Sequence, residues 1–548
     1  MTPDPNTPAG SDVPLSERDD ERPIVIHGPV HGAPRITPET STPPLVRLHP
    51  NAARTEGQPE TGSSRPEAAG RPRLQAVDPW NPGAQGAATQ RASSLDALRG
   101  LFLILMTLGF TIHGNHFPDW MYHRQFPPPG DLADVAGIAW RDLAYAAFLF
   151  TMAAALPITL SRRIGNGETE ISTMLAILRR FALLFLFALL IGHSNTYFIG
   201  YTQEARGLAL LGFVVMFGVF VRRRSDWNET LFKVMNRTWW LGAIAFLVFS
   251  PMVYDSAFSP ARRDDIIAGL AFAALSGSVV WYFTRERLNA RLAILALTVA
   301  LYLASRSPGW VQEWWWSSPA PWLMRPSSLS LLAVVIPGTI AGDLLLRWMR
   351  TPRDTGETAG WNGVRLGALA LLCLVITPVV VIGLYNRWVL ETTQITAALC
   401  LAGVFLTLRP VRPGEHLVRQ LYLWGVVWLL AGLFLDPAEG GIKKVPETLS
   451  YFFTVTGVSK LLLVSLVITV DIVRKSGWAR PLIDVGHNPM IAYVLYTVLL
   501  NSLLELIPAL RPLLRGSPGE ALLRSLLVTA LVVVIVQTFT RRRVFWRT

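Results

Sequence analysis

The stretch SSLDALRGLFLILMTLGF, residues 93–110, decides the fold. From Gly100 onward it is an uncharged apolar run, and such runs suit a helix that crosses the ~30 Å hydrocarbon core of a membrane. Runs of this kind recur along the rest of the chain. They lie near 100–117, 142–160, 181–198, 207–221, 238–254, 266–284, 291–305, 326–346, 366–385, 389–408, 420–435, 450–472, 485–507 and 522–539.

The bulk composition points the same way. The chain has 548 residues, of which 51% are hydrophobic and only 16% are charged. That is too few charges to cover the surface of a water-soluble protein of this size. We therefore predict an all-α, polytopic transmembrane helix bundle of about 12–14 spans, the shorter runs being close to the lower limit for a span.

Residues 1–92 differ from the rest of the chain. They are rich in Pro, Gly, Ser and Thr, contain no Phe or Tyr, and have a single tryptophan, Trp80. Such a segment cannot bury enough apolar area to offset the entropy lost on ordering. It also lacks the early apolar core of a secretory signal peptide. The sequence thus predicts two parts, a disordered cytoplasmic arm at 1–92 and a helical membrane domain at 93–548.

Charge sets the predicted orientation. The net charge is +12, and the first 92 residues contribute −2 of it, so the membrane domain is strongly basic. Arg and Lys are about twice as frequent in the loops on the side of the two termini as in the opposite loops, which places both termini in the cytoplasm. The arginines fall between apolar runs and form no stripe on a soluble domain, which argues against a nucleic-acid partner.

Histidines cluster where the first span ends. Three of the nine, His113, His116 and His123, lie within eleven residues. Their polarity has no packing use in lipid, so we expect a functional site there. The spacing fits neither a helical i, i+4 metal pair nor a Cys/His knuckle, and the two cysteines, Cys373 and Cys400, sit in apolar runs. We therefore predict no bound metal.

Several blocks resemble one family when they are taken together in order. They are SLDALRG at 94–100, WMYH at 120–123 followed by Gln125 and PP at 127–128, WRDL at 140–143, FLF at 148–150, IPGTIAGD at 336–343 and HNPMIAY at 487–493. In sequence and in order, these blocks resemble those of the bacterial branch of the heparan-α-glucosaminide N-acetyltransferase-like transmembrane acyltransferases. The resemblance spans roughly residues 93–505.

The resemblance implies a function in the bacterial cytoplasmic (inner) membrane. It implies that an acetyl or other acyl group moves from cytoplasmic acyl-coenzyme A, as co-substrate, to an amine or hydroxyl of an extracytoplasmic glycan. The matching catalytic residue is His123, whose neutral imidazole suits either a base or an acyl carrier. We expect acceptor contacts from side chains at the same level of the bundle: His113, His116, Trp120, Tyr122, Gln125, Asp142 and His193.

Two polar positions are candidates for coenzyme contacts on the cytoplasmic side. Asp343 follows a Pro337 break in an apolar run, and it either pairs with Arg347 one turn later or lines a coenzyme tunnel with it. Asn488, before Pro489, either caps the helix that follows or holds a coenzyme phosphate together with Arg480. The sequence leaves both alternatives open at each position. It also leaves open whether the chain forms a homodimer.

Two other functions compete with this interpretation. The other large class of membrane acyltransferases has an Arg-x10-His pattern, but the matching position after Arg99 is Phe110. A transporter or flippase of a glycan or lipid precursor would show paired broken helices in two related halves, and only one break, at Pro337, is evident.

Overall fold

The structure is a computed structural model, and it describes residues 92–112, 117–126, 132–223, 227–254, 257–351, 360–506 and 518–548. Within these ranges the chain is helical and forms no strand. The predicted arm, except for Ala92, lies outside the described residues, as do His113 and His116.

Eighteen α-helices follow one another along the described residues. They are α1 (Ser93–Thr111), α2 (Leu143–Gly165), α3 (Glu170–Gly192), α4 (Thr196–Ile199), α5 (Gln203–Phe220), α6 (Glu229–Val253), α7 (Asp265–Thr284), α8 (Leu288–Ala304), α9 (Trp310–Trp316), α10 (Leu332–Arg350), α11 (Gly363–Tyr385), α12 (Val389–Leu406), α13 (Pro413–Leu435), α14 (Leu449–Leu466), α15 (Arg480–His487), α16 (Pro489–Val494), α17 (Asn501–Leu506) and α18 (Pro518–Arg541).

Twelve helical segments in the described ranges are long and apolar enough to cross a membrane. Helix α8 is apolar but shorter, and α6 is long but carries Lys233, Asn236 and Arg237 in its first half. The prediction of a polytopic helical membrane protein with about 12–14 spans is confirmed. The first helix begins at Ser93, seven residues before the predicted run, because the carboxylate of Asp471 accepts the backbone N–H groups of Ser93 and Ser94 at 3.1 and 3.3 Å.

The centre of the bundle is formed by α14, α2 and α10. Every residue of α14 is buried, whereas most of α12 and α18 faces outward at the periphery. Helix α10 lies directly on α2, where Gly338 and Gly342 meet the backbone and small side chains of residues 150–154. Small residues at such positions let two membrane helices approach closely.

The bundle has two distinct ends. At the arginine end, defined by Arg162, Arg163, Arg179, Arg180 and Arg222, α1 begins and α2 finishes. At the histidine end, defined by His123, Asp142, His193 and Lys444, α1 finishes and α2 begins. Helix α2 has 23 residues, which at 1.5 Å each separate the two ends by about 35 Å.

Candidate active site

The residue expected to be catalytic, His123, forms a pair with Asp142. His123 follows a single 3₁₀ turn, Asp119–Met121, and its Nδ1 lies 2.5 Å from Oδ1 of Asp142. The other carboxylate oxygen of Asp142 accepts the backbone N–H groups of Ala139 (2.8 Å) and Arg124 (3.2 Å). Both oxygens are thus fixed, and the carboxylate is fully buried.

This pairing leaves one ring nitrogen of His123 available. With a proton on Nδ1 directed at the carboxylate, Nε2 carries the lone pair. Among the described residues Nε2 has no hydrogen-bond partner, and about a quarter of the side chain is exposed. The imidazole can therefore accept a proton or an acyl group at Nε2.

A third charged group, Lys444, completes the cluster. Its Nζ lies 3.2 Å from Nδ1 of His123 and 3.8 Å from Oδ1 of Asp142. The pKa of His123 is lowered to about 4, first by burial and then by the Lys444 cation, against the opposing effect of Asp142. Burial also lowers the pKa of Lys444, and Asp142 partly opposes that shift. Sequence reasoning missed Lys444 because it lies in a loop more than 300 positions from His123.

The loop that carries His123 is held by its own polar side chains. Gln125 is fully buried and donates its amide to the carbonyls of Val135 and Gly137, both at 2.9 Å. Tyr122 is also buried, and its hydroxyl accepts the N–H of Phe117 at 3.2 Å. Gln125 and Tyr122 thus shape the loop, whereas Trp120 is 54% exposed beside it. Of these three expected acceptor contacts, only Trp120 presents a face to a ligand.

His193 serves a local structural role at the end of α3. It is fully buried, and its Nδ1 and Nε2 bond the Tyr254 hydroxyl (2.5 Å) and the Ser259 carbonyl (3.2 Å). Its ring also stacks on Phe258. With both nitrogens engaged, His193 has no free group for a glycan.

A large cavity opens at the arginine end. Its volume is ≈1480 Å³. Its charged lining is almost wholly basic, with Asp96 the one carboxylate side chain beside the arginines among the described residues. The lining arginines are Arg99, Arg162, Arg163, Arg179, Arg180, Arg222, Arg223 and Arg547.

Four of these arginines have no counter-charge among the described residues. Arg163 pairs with Glu168 and Arg223 with Glu229, but the guanidinium groups of Arg162, Arg179, Arg180 and Arg222 make no ion pair or hydrogen bond with the described residues. Unpaired guanidinium groups that face one cavity favour a polyanionic ligand, phosphates above all.

The cavity also extends toward the histidine end, where His123, Asp142 and Lys444 lie. Its wall there includes Phe148, Ile267, Leu270 and Tyr493. Phe148 is six positions after Asp142 on α2, or about 9 Å along the helix axis. The cavity lining is therefore basic at the arginine end and apolar toward the histidine end, where Phe148 lies within two helical turns of Asp142.

One further polar pair lies at this far end. The hydroxyl of Tyr493 bonds the two carboxylate oxygens of Asp264 at 3.0 and 2.9 Å, and Asp264 caps α7 by accepting the N–H of Ile267 at 2.8 Å. Burial raises the pKa of Asp264 to about 6. Sequence reasoning missed the role of Tyr493, although it closes the HNPMIAY block.

The four expected coenzyme contacts lie elsewhere, because none of them lines this cavity. Asp343 pairs with Arg291 (2.6 Å) and the indole of Trp281 (2.8 Å), not with Arg347 as predicted. Arg347 and Arg480 are exposed.

Asn488 also differs from its predicted roles. Its helix begins at Pro489 as predicted, but its side chain does not cap that helix. It bonds the Val544 carbonyl (2.8 Å) and the Trp546 N–H (3.2 Å) of the carboxyl-terminal segment.

These features define a polytopic helical membrane protein with a histidine–aspartate pair at one end and an arginine-lined cavity at the other. In comparisons with known proteins, residues 91–345 match the model of the family described as "Domain of unknown function (DUF5009)". The match covers slightly less than half of the chain and includes His123 and Asp142, but not Lys444 or Tyr493. No curated protein matches the chain. The resemblance to the acetyltransferase-like family stays a prediction.

Proposed function

We propose that this protein is a membrane-embedded acyltransferase. It takes an acyl group from acyl-coenzyme A at the arginine end and transfers it to an amine or hydroxyl of a glycan at the histidine end. The observation that carries the proposal is the cavity whose lining extends from four arginines, which have no ion pair among the described residues, to Phe148 near the His123 site. By the positive-inside rule the arginine end faces the cytoplasm, where acyl-coenzyme A is found.

Each part of the donor matches a part of the cavity. The phosphates of the coenzyme suit Arg162, Arg179, Arg180 and Arg222, and the thin pantetheine arm suits the apolar passage past Phe148. An extended arm directs the thioester toward Asp142 and His123, so neither substrate has to cross the ~30 Å barrier whole.

The chemistry follows from the free nitrogen of His123. Nε2 takes the proton from the acceptor's O–H or N–H as that atom attacks the thioester carbonyl. The C–S bond then breaks, its electron pair goes to sulfur, and the thiolate takes up a proton. If the imidazole acts as acyl carrier, Nε2 itself attacks the carbonyl first and the acceptor attacks the acyl-imidazole second.

Donor binding tests the first half of the proposal. Calorimetric titration of the full chain in detergent with acetyl-coenzyme A should show one site. Arg180→Met should weaken binding by about 10–100-fold, because a charged hydrogen bond contributes about 1.5–3 kcal/mol. Arg223→Met is the matched control, since Arg223 lines the same cavity but is paired with Glu229.

Transfer to an amino sugar tests the second half. His123→Ala should leave donor binding intact and reduce turnover by about 10²–10⁴-fold. If no acyl-coenzyme A binds to the wild-type chain, the enzyme proposal fails and the cavity is better explained as part of a transporter.

A further inference from the structure

The segment that carries Lys444 is built to hold that side chain against His123. Between α13 and α14, Asp436 accepts the N–H of Ile442 at 2.8 Å. The carbonyl of Ile442 in turn accepts the N–H of Gly137, also at 2.8 Å. The segment is thus joined to the His123 loop one residue before Lys443 and two before Lys444.

The side chains of the neighbouring residues Lys443 and Lys444 point in different directions. Lys443 reaches Asp134, a carboxylate that is 84% exposed, at 2.5 Å. Lys444 instead turns inward to the His123–Asp142 pair. A buried ammonium is costly unless it acts on a nearby charge, so the inward turn of Lys444 calls for an electrostatic reason.

We propose that Lys444 is a positioning residue of this site and that its cation keeps the His123 imidazole neutral, so that Nε2 remains a proton acceptor in acidic surroundings. For its catalytic consequence this inference rests on the function proposed above. Its effect on the protonation of His123 stands without that function.

Other charged and titratable groups around His123 do not replace Lys444. Arg124 directs its guanidinium over the Tyr385 ring, 4.4 Å from the ring centroid. Arg141 donates to the Ile112 carbonyl at 3.4 Å, and it lowers the pKa of His123 less than Lys444 does. Tyr451 bonds the backbone carbonyl of Asp142 at 2.6 Å. Glu447 acts on Lys444, whose pKa it raises.

The contact geometry explains how the cation acts. If a second proton binds at Nε2, Nδ1 of the resulting imidazolium lies 3.2 Å from the Lys444 ammonium and 2.5 Å from the Asp142 carboxylate. At such distances in a partly buried site, like charges oppose each other strongly. Lys444 thus weakens the binding of a second proton at Nε2 of His123.

Diethyl pyrocarbonate measures this effect directly, because it acylates the neutral form of an imidazole and not the protonated form. The full chain in detergent is treated between pH 3.5 and 8, and modification of the His123 peptide is followed by mass spectrometry. In the wild type the rate should reach half its maximum near pH 4, well below the value of about 6.5 for an unperturbed imidazole.

The variants separate charge from structure. Lys444→Gln, which stays polar but loses the charge, should raise the midpoint by about one pH unit, and Lys444→Arg should restore it. Lys443→Met is the matched control on the same segment and should leave it unchanged. The inference is overturned if the Lys444→Gln midpoint stays at the wild-type value or if Lys443→Met shifts it equally. If Lys444→Gln does not fold, the decision falls to Lys444→Arg, which must keep the wild-type midpoint for the inference to survive.

The transfer assay then separates this inference from the proposed function. The acidic limb of kcat/KM should move upward in Lys444→Gln by the same amount as the modification midpoint. A shifted midpoint in a protein that transfers no acyl group would sink the proposed function and keep the role of Lys444. If the Lys444→Gln variant transfers an acyl group and neither pH curve moves, the proposed function is kept and the role of Lys444 is refuted.

Discussion

The contact between α10 and α2 allows a quantitative prediction about stability. A Cβ atom at Gly342 would lie 2.3 Å from the carbonyl oxygen of Ala154 and 2.9 Å from a ring carbon of Pro157. Ordinary contacts begin near 3.4 Å, so Gly342→Ala must push the two helices apart by about 1 Å. A gap of that size removes a quarter to a half of the dispersion energy of each contact affected.

We expect Gly342→Ala to lower the free energy of unfolding by about 1–3 kcal/mol, the usual range for overpacking. The same substitution at Gly367 of α11, where a Cβ meets nothing within 4 Å, should instead raise it by about 0.5–1 kcal/mol. Reversible unfolding by SDS in mixed micelles, followed by tryptophan fluorescence, measures both. Equal stability of the two variants would refute the close approach of α10 to α2.

Three further predictions concern buried charge and orientation. Arg291→Met should cost about 3–5 kcal/mol because it leaves Asp343 unpaired, whereas the double variant with Asp343→Leu should recover most of the loss in the same SDS titration. Since burial raises the pKa of Asp264 from 3.8 to about 6, the folded state binds its proton more tightly, so stability should fall by up to about 3 kcal/mol as pH rises from about 4 to 6, and Asp264→Asn should abolish that slope in pH-dependent melting. A cysteine at Leu132, which is 60% exposed at the histidine end, should react with an impermeant maleimide in intact cells, and labelling only after lysis would reverse the proposed orientation.

The sequence predicts the fold well because lipid imposes a simple rule. A helix must satisfy its backbone internally and stay apolar for about 20 residues, so each span leaves a local signal. An observed helix boundary differs from the predicted one where a residue distant in sequence fixes the end of the helix, as Asp471 does at Ser93 of α1. The apolar run of α1 contains nothing that would predict this contact with a distant residue.

The site was only partly predictable for the same reason. His123 and Asp142 are marked by polarity in an apolar context, and the structure brings them together. Lys444 and Asp264 lie in loops that the sequence reads as ordinary connections, and only the fold places them beside His123 and Tyr493. Gln125 and His193 use their polar groups to hydrogen-bond neighbouring loops. A sequence pattern does not distinguish this structural role from ligand binding.

The carboxyl-terminal segment has a consequence for biosynthesis. Trp546 is buried against the rings of Phe187, Phe213 and Phe217 in α3 and α5, and the segment bonds the backbone of Phe220 and Arg222. The ribosome makes these residues long after α3 and α5, so the pocket for this indole waits unfilled while the helices between them insert. Folding therefore includes a late, separate step in which the carboxyl-terminal segment docks, and Trp546→Ala would leave α3 and α5 in place yet expose an aromatic pocket to quality-control proteases.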